Sequence, residues 1–384
     1  MNNIKLKLKY DKDLLQDYYM KLYYLKNLEK NYFNYIDFDH IYSFSESEIN
    51  HIKNLTKTIN IIIKKAYSFY HKDFKKNLSE FYDYKDSFEE SYDKIEHLIE
   101  RYDLLLSTDW NYKFIEINAN TPWLINDIYH ISSLNKPNWY KNINANFEKH
   151  IQKYFKKHKW KKIWILLPYS YEDEDFLTCV DYKNIIEKVT KDKIIIWDIY
   201  ETNIIWNDFF TIKWEKVDIL LNFFPIDFFL TDKDYLDSFL KIIKKNNLII
   251  QNPLESILLQ DKLIFAVIWE NIETYSLLEK EFIQKHIPFT TRVFQEESEK
   301  YIAKDRFWRI WRWVYENNFF SNIDNKEKFI YQEKIKSQFV DEQNSFAVLW
   351  VFTNMDKIIS LIWRKQTEFI SQDWNNKIVM CYEG

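Results

Sequence analysis

A mixed α/β (α+β) fold with a helical N-terminal segment is what the sequence predicts, on three observations. Residues 10–100 carry mostly helical apolar periodicity, and residues 161–251 alternate short apolar runs with helical stretches. Between and after them, residues 101–119 and 301–334 read as strands joined by turns, and these strands carry the chain's most informative polar residues. With 384 residues, 46% of them apolar, the chain can bury a large core as one enzyme or as two to three domains.

In the N-terminal segment, Ile49, Ile52, Leu55, Ile59, Ile62 and Ile63 recur at helical spacing and predict a helix over residues 45–70. Ser45 or Ser47 can cap it, and Ser45 with Glu48 has the spacing of a capping box. Residues 88–98 have a similar helical pattern. The lysines and glutamates here read as a solvated face, so this segment offers no catalytic signal of its own.

Two strands follow, over residues 102–107 and 113–119, joined by an Asp109-Trp110-Asn111 turn. Alternation predicts Phe114, Glu116 and Asn118 on one face, with Ile115 and Ile117 on the other. A hairpin would then bring Asp103 to the same end of the sheet as Glu116 and Asn118. Two carboxylates and an amide oxygen are hard donors suited to Mg²⁺ beside substrate phosphates. Spacing alone is weak support, because half-exposed sheets often alternate polar residues in this way.

Residues 161–251 form a separate α/β unit by pattern. Short buried-type strands are predicted at 162–168, 193–199, 217–224 and 248–250, with helices at 174–189 and 234–245. The acidic run from Glu172 to Asp175 could attract a polyamine, but it also reads as an acidic helix start favoured by the macrodipole. Lys262 then falls in an apolar helix opening near Ser256, where a lone lysine is ordinarily a surface residue.

The stretch from Tyr301 to Val314, YIAKDRFWRIWRWV, is unusual. A strand-like lead-in carries Lys304, and Trp308, Trp311 and Trp313 are then interleaved with Arg306, Arg309 and Arg312. With glycine at the three Trp positions it becomes a lysine on a strand followed by a glycine-rich turn, the form that closes over nucleotide phosphates. Composition favours that substitution. The chain has 15 Trp and 1 Gly, Gly384, where average usage would supply roughly 27 Gly. Trp110 and Trp374 stand where Asp-Gly-Asn would make an ordinary turn, and Trp139, Trp160 and Trp214 lie in polar connections. Our reading is that a codon decoded as glycine in the source, UGA being the candidate, has been rendered as tryptophan. The competing reading is a genuinely Trp-rich binder of carbohydrate or nucleic acid. The arginines could contact phosphate or solvent.

Other features mainly exclude. A net charge of −4 gives no general attraction for nucleic acid or anionic membrane. Single-strand binding through aromatics and arginines would also need a basic groove. Cys179 and Cys381 make neither a disulfide framework nor a metal site. The opening residues lack the apolar run of a signal peptide, and no apolar stretch reaches membrane-spanning length. The expectation is a cytoplasmic protein without nucleic-acid or membrane partners.

Arg101-x-Asp103, followed by Glu116-x-Asn118-Ala119-Asn120-Thr121-Pro122, resembles the signature of the glutathionylspermidine synthetase family. Three later blocks fit that family in order: residues 252–269, the loop at 301–314, and residues 347–373. The resemblance covers roughly residues 35–384. Trp308, Trp311, Trp350 and Trp363 fall where the family has glycine, whereas Trp269 falls on a family tryptophan.

The resemblance implies a permuted ATP-grasp fold. In it, residues 101–160 and 252–384 form a discontinuous ATP- and Mg²⁺-binding domain, residues 161–251 an inserted Rossmann-like pre-ATP-grasp domain, and residues 1–100 a helical segment. The implied activity is ATP-dependent ligation of a peptide carboxylate to an amine or polyamine through an acyl phosphate. By the same resemblance Arg101 serves ATP, and Asp103, Glu116 and Asn118 hold Mg²⁺. Lys262, Lys304, Trp308, Trp311, Gln332 and Glu333 line the nucleotide site, the last two on the strand at 329–334. Arg101, Lys304 and Arg309 act on the transferring phosphoryl group, and Thr121, Arg364 and Thr367 face the substrate. Asn120 replaces the usual Asp, Ile310 the usual Glu, and Trp123 a position that can carry a hydroxyl. The competing class is a non-catalytic binding protein on a degenerate ATP-grasp scaffold, favoured if the loop tryptophans are real.

Overall fold

The protein is represented by a computed structural model. It describes residues 36–384 apart from 121, 123–131, 133–140, 168–172, 192, 199–201, 206–207, 212–214, 224–232, 245–247, 296–298, 308–313, 316–325, 340–344, 355–356, 367–376 and 384.

The long helix spans Glu46–Lys72, two residues beyond its predicted end. Ser45 is the N-cap and the capping box is complete: Ser45 Oγ accepts from Glu48 N at 3.2 Å, and Glu48 returns to Ser45 N at 2.8 Å. Its apolar stripe from Ile49 to Ile63 is buried, each such side chain contributing about 1.5–3 kcal/mol. The similar pattern at 88–98 does not make an α-helix. It gives a short 3-10 turn over Tyr92–Lys94, with Phe88, Ile95 and Leu98 buried. Tertiary packing, not periodicity, decides a segment this short.

The helix packs on one face of a seven-stranded sheet. Its path runs Ile36–Phe44, Lys377–Glu383, Lys357–Gln366, Phe346–Asn354, Glu100–Leu106 and Tyr112–Asn118, and Lys141–Asn142 pairs beside the second of these strands. Ile36–Phe44 corrects the mainly helical reading of the N-terminal segment. It pairs parallel with Lys377–Glu383, a partner more than 300 residues away in sequence that no local pattern could announce. The other face of the sheet packs on the helix Asn146–Lys156 through Phe147, Ile151 and Phe155.

Residues 163–251 give a four-stranded parallel sheet in the order Ile249–Gln251, Ile219–Asn222, Ile163–Leu167, Ile195–Asp198. The helices Asp173–Glu187 and Lys233–Lys244 lie between successive strands in sequence, as the alternation predicted. A small hairpin, Thr202–Ile205 with Asp208–Thr211, was not foreseen. A further antiparallel sheet orders Thr290–Thr291, Phe329–Glu333, Tyr301–Asp305 and Val314–Tyr315. It is tied back to the 100–118 hairpin by Thr108 N to Lys336 O at 3.0 Å and Gln338 N to Leu106 O at 2.9 Å. No helix among the described residues is long and apolar enough to cross a membrane.

Candidate active site

The hairpin forms as predicted, and its register brings the acidic residues together. Asp103 lies opposite Glu116 and Arg101 opposite Asn118. One detail of the alternation is corrected. A bulge falls where Asp103 pairs Glu116 but Leu104 pairs Phe114, so Ile115 is the extra residue. The bulge turns Phe114 to the helix-side core with Ile117, while Ile115 packs in the opposite cluster. Without that slip Glu116 and Asn118 could not share a face with Asp103 while Phe114 stays buried on the other side.

Arg101 chelates Asp103, Nε to Oδ1 at 2.7 Å and Nη2 to Oδ2 at 3.2 Å, and Asn118 Nδ2 reaches the same Oδ1 at 3.4 Å. On the next strand Trp350 lies opposite Asp103. On the strand beyond, Arg364 lies opposite Val348, one diagonal step from Trp350. Arg364 is also buried and adds to the positive field on Asp103.

Two lysines arrive from other elements. The predicted continuous helix around Lys262 is in fact two helices, Ser256–Gln260 and Leu263–Glu270, broken at Asp261 and Lys262. Lys262 therefore sits at the start of the second helix, and it is buried, not exposed. Its Nζ is 3.2 Å from Glu116 Oε1. Lys304, on the strand Tyr301–Asp305, donates to Gln332 Oε1 at 2.7 Å and to Ile115 O at 3.4 Å, so the bulge supplies one of its acceptors. Gln332 in turn donates to Thr290 Oγ1 at 3.1 Å, and its side chain is thus spent on holding Lys304. Glu333 points outward beside Phe289, away from this cluster.

The electrostatics follow from burying four cations with two carboxylates. Burial raises the Asp103 carboxyl above its ordinary range, against the opposing pull of Arg101. Burial also acts to raise Glu116, but Lys262, Lys304 and Arg101 outweigh it and hold that carboxyl below its ordinary value. Burial pushes Lys304 down to about 8, with Glu116 opposing. Neighbouring acids are thus driven apart and a lysine is brought close to physiological pH, a pattern common at functional sites.

Sequence reasoning missed the residues that brace this cluster. Asn252 Nδ2 donates to Ala119 O at 2.7 Å and Asn120 O at 3.2 Å, while its Oδ1 accepts from Leu98 N at 3.2 Å. Gln260 Oε1 accepts from Ala119 N at 3.1 Å. Together they pin the backbone just after Asn118. Asp261, fully buried, takes Arg306 Nε at 3.1 Å on both oxygens and also binds Tyr70 OH, and Lys262 N donates to Arg306 O at 3.0 Å. Lys262 and the strand that carries Lys304 are thereby joined. The only available signal was an apolar block interrupted by Asn252, Gln260 and Asp261.

Thr121, Trp123, Trp308, Arg309, Ile310, Trp311, Arg312 and Thr367 lie outside the described residues. The strands flanking the 308–313 segment do pair, Lys304 opposite Val314, as a hairpin requires. Among the described residues no three His, Cys, Asp or Glu side chains group as a self-sufficient metal site. The donor set of Asp103, Glu116 and Asn118 suits a hard cation whose remaining positions go to phosphate oxygens and water. Beside it is a small cleft, with room for about one water, lined by Asn120, Asn222, Gln251 and Asn252, among others. It opens at the carboxyl ends of the parallel strands, the usual ligand position in such sheets. Asn120 Nδ2 and Gln251 Oε1 are buried there without a partner.

The tryptophans differ in how they fit. Trp269 donates from Nε1 to Pro288 O at 2.9 Å, and Trp363 stacks on Tyr42 in the core with centroids 4.8 Å apart. Trp160, though exposed, has Lys191 Nζ 3.6 Å from its ring centroid. Trp110 instead has φ 60°, the one positive φ among the described residues. Trp350 is buried with its Nε1 unpartnered.

No curated protein matches the chain. Among solved structures, a glutathione synthetase-like effector from Globodera pallida, in its apo form, superposes with a TM-score of 0.53 at 12% identity, over 90% of this chain and 89% of that one. That likeness is one of fold. A putative γ-glutamylcysteine synthetase from Methylobacillus flagellatus KT aligns at 10% identity over 84% of this chain and 85% of that one, with a TM-score of 0.34. The family model for the glutathionylspermidine synthase pre-ATP-grasp family matches residues 12–380. That match takes in every residue of the charged cluster, and the chain belongs to this family of ATP-grasp-type ligases.

Proposed function

We propose that the chain is an ATP-dependent carboxylate–amine ligase of the glutathionylspermidine synthase type. The carboxylate of glutathione or another peptide attacks the γ-phosphorus of ATP and ADP leaves. A polyamine or other amine then attacks the acyl carbon, phosphate leaves, and an amide remains after loss of a proton. The observation that carries this reading is the convergence, from four separate elements, of Arg101, Asp103, Glu116, Asn118, Lys262 and Lys304 into one buried cluster.

In this reading Lys262 and Lys304 bind the nucleotide phosphates, and Arg101 neutralises charge on the phosphoryl group in transit. Asp103, Glu116 and Asn118 would hold Mg²⁺, which would supply neutralisation of phosphate charge. Arg309, Trp308 and Trp311 belong to the loop that closes over the phosphates. The backbone of the strand at 329–333 faces the base, while Gln332 positions Lys304. Arg364 takes the substrate carboxylate in a bidentate fork, with Thr121 and Thr367 on the same wall. The 163–251 unit contributes Asn222 and Gln251 beside Asn120, amides that suit hydrogen bonds to a peptide or amine, and the protein works in the cytoplasm.

The loop can approach phosphate closely only with glycine at 308 and 311, so this reading includes glycine decoding at those positions and at 110. The φ of 60° at Trp110 supports it, because that conformation is costly for an L-residue with a side chain. The specific observation favouring a non-catalytic binder is the Trp350 indole standing in the cluster. The test is ADP and amide formation from ATP, Mg²⁺, glutathione and spermidine by protein made with glycine at 308, 311, 313 and 350. Replacing Asp103 by Asn should cost turnover about 100-fold or more. Absence of both turnover and ATP-dependent thermal stabilisation would leave the binding-protein reading.

A further inference from the structure

We propose that the amino-end edge of the four-stranded parallel sheet is a docking surface for an anionic phospholipid bilayer, engaged through the lysines of the turns that lead into its strands. The surface is separate from the charged cluster and does not depend on the ligase reading.

Topology gathers these lysines. In a parallel sheet with crossover helices, every helix-to-strand turn falls at the same end. Residues 149–162, which lead into the strand Ile163–Leu167, hold seven lysines and no Asp or Glu. Lys188, Lys191 and Lys193 lead into Ile195–Asp198. The turns touch one another. Lys191 N donates to Lys159 O at 3.4 Å, and Lys162 N donates to Asp218 Oδ2 at 2.9 Å just ahead of Ile219–Asn222. The opposite end of the sheet carries Asn222 and Gln251, so a bilayer on the lysine edge leaves their cleft facing water.

Helix dipoles account for only part of this charge. Lys153 and Lys156 stand in the last turn of Asn146–Lys156, where cations are favoured. The helix Asp173–Glu187 has no basic residue in its last turn, and Lys159, Lys161, Lys191 and Lys193 lie beyond the helix ends, where that effect has faded. Internal pairing takes up three lysines: Lys157 with Glu96 at 3.0 Å, Lys162 with Glu215 at 3.4 Å and Lys188 with Glu148 at 2.6 Å. Among the described residues no ion pair takes up Lys156, Lys159, Lys161, Lys191 or Lys193, and all five are exposed. The net charge of −4 is a sum over the whole chain, whereas a docked bilayer feels charge within about 8 Å at physiological salt. Trp160 is 66% exposed among these lysines, with Lys191 Nζ 3.6 Å from its ring centroid. As an indole it adds an interfacial anchor, and with glycine there the lysines remain. No arginine lies on these turns, and the lysines spread over an edge instead of lining a groove of stacked aromatics, which favours a bilayer over single-stranded nucleic acid.

The test is co-sedimentation of the full chain with vesicles, without ATP or Mg²⁺. Vesicles of phosphatidylcholine alone are compared with vesicles containing about one third phosphatidylserine, at low and at high salt. The expected result is binding to the anionic vesicles only, lost at high salt. Combining Lys159→Ala, Lys161→Ala, Lys191→Ala and Lys193→Ala should weaken that binding roughly 100-fold or more, at about fivefold per lysine. The melting transition should stay where it is, because all four side chains are exposed. A control with the same change in charge, Lys53→Ala, Lys57→Ala, Lys72→Ala and Lys75→Ala, alters exposed lysines on and just after the long helix and should bind as the unsubstituted chain does. Trp160→Gly should keep the salt-dependent binding. No binding to anionic vesicles at low salt overturns the proposal. Equal loss in the two quadruple variants also overturns it, since net charge alone would then be responsible. Loss of binding in Trp160→Gly alone removes the lysines as its basis and overturns it as well. Binding of a single-stranded oligonucleotide without binding of anionic vesicles would overturn it in favour of a nucleic-acid surface.

Discussion

Breaking the Asp261–Arg306 pair should destabilise the protein in a strongly non-additive way. Asp261 is fully buried and the Arg306 side chain is 12% exposed. Arg306 Nε is 3.1 Å from both carboxylate oxygens, and its Nη2 binds Asp261 and Asn77 O. Asp261 also accepts from Leu263 N at 2.8 Å, holding the first turn of the second helix. Removing one member of a buried pair costs about 3–5 kcal/mol, because the survivor stays buried and uncompensated. Asp261→Ala should fall at the upper end, since about 1 kcal/mol of helix capping goes with it. Arg306→Ala leaves the carboxylate with Tyr70 OH and Leu263 N and should cost about 3 kcal/mol. The double variant loses the pair only once, so the coupling should be about 2–3 kcal/mol. Urea unfolding at neutral pH measures all three, with the slope checked for constancy. Since Lys262 N is bonded to Arg306 O, the same variants should raise the KM for ATP more than they lower kcat. Additive costs within about 0.5 kcal/mol, or single losses below about 1 kcal/mol, would refute the pair as a buried, coupled cross-link.

Three further outcomes follow from particular side chains. Lys304 has a folded pKa of about 8 against 10.5 in the unfolded chain. Between those values the unfolded state holds more protons, so stability should rise with pH across that window, whereas at neutral pH the buried charge is a net cost. ATP affinity should run the opposite way and weaken above about pH 8 as the ammonium is lost, and Lys304→Arg should flatten that profile in equilibrium binding. Trp110→Gly should raise stability by about 1–2 kcal/mol, because a mostly exposed indole is exchanged for relief of a left-handed backbone; thermal melting reads it directly. Peptide mapping of protein from the source would show glycine at 110, 308 and 311, with tryptophan at 269, if the codon reading is right.

How far the sequence could be read depended on the range of the interactions involved. The capping box of Ser45 and Glu48, the hairpin around Asp109-Trp110-Asn111 and the alternation of strands and helices at 163–251 are local, and local pattern announced them. Family spacing likewise singled out Arg101, Asp103, Glu116, Asn118, Lys262, Lys304 and Arg364, all of which lie in or beside one buried cluster. Pattern failed where one residue shifts a register or where partners are distant in sequence. The extra Ile115 turns Phe114 to the opposite face and supplies a carbonyl to Lys304, which strict alternation cannot express. Asp261 breaks an otherwise continuous apolar helix because it is committed to Arg306, 45 residues further on.

Taken alone, the amino-acid sequence determined the long capped helix, the 102–119 hairpin and the strand–helix alternation of 163–251, which family the chain resembles, and which charged residues are unusual enough to matter, because these rest on periodicity, caps and spacing. The tertiary structure alone decided that the strand Ile36–Phe44 pairs with the last strand of the chain, that Gln332 is spent on Lys304, and that Trp350 stands between two arginines. The physical reason is that burial, charge balance and strand register arise between residues far apart in the chain, and only the folded packing brings them to within a few ångströms of one another.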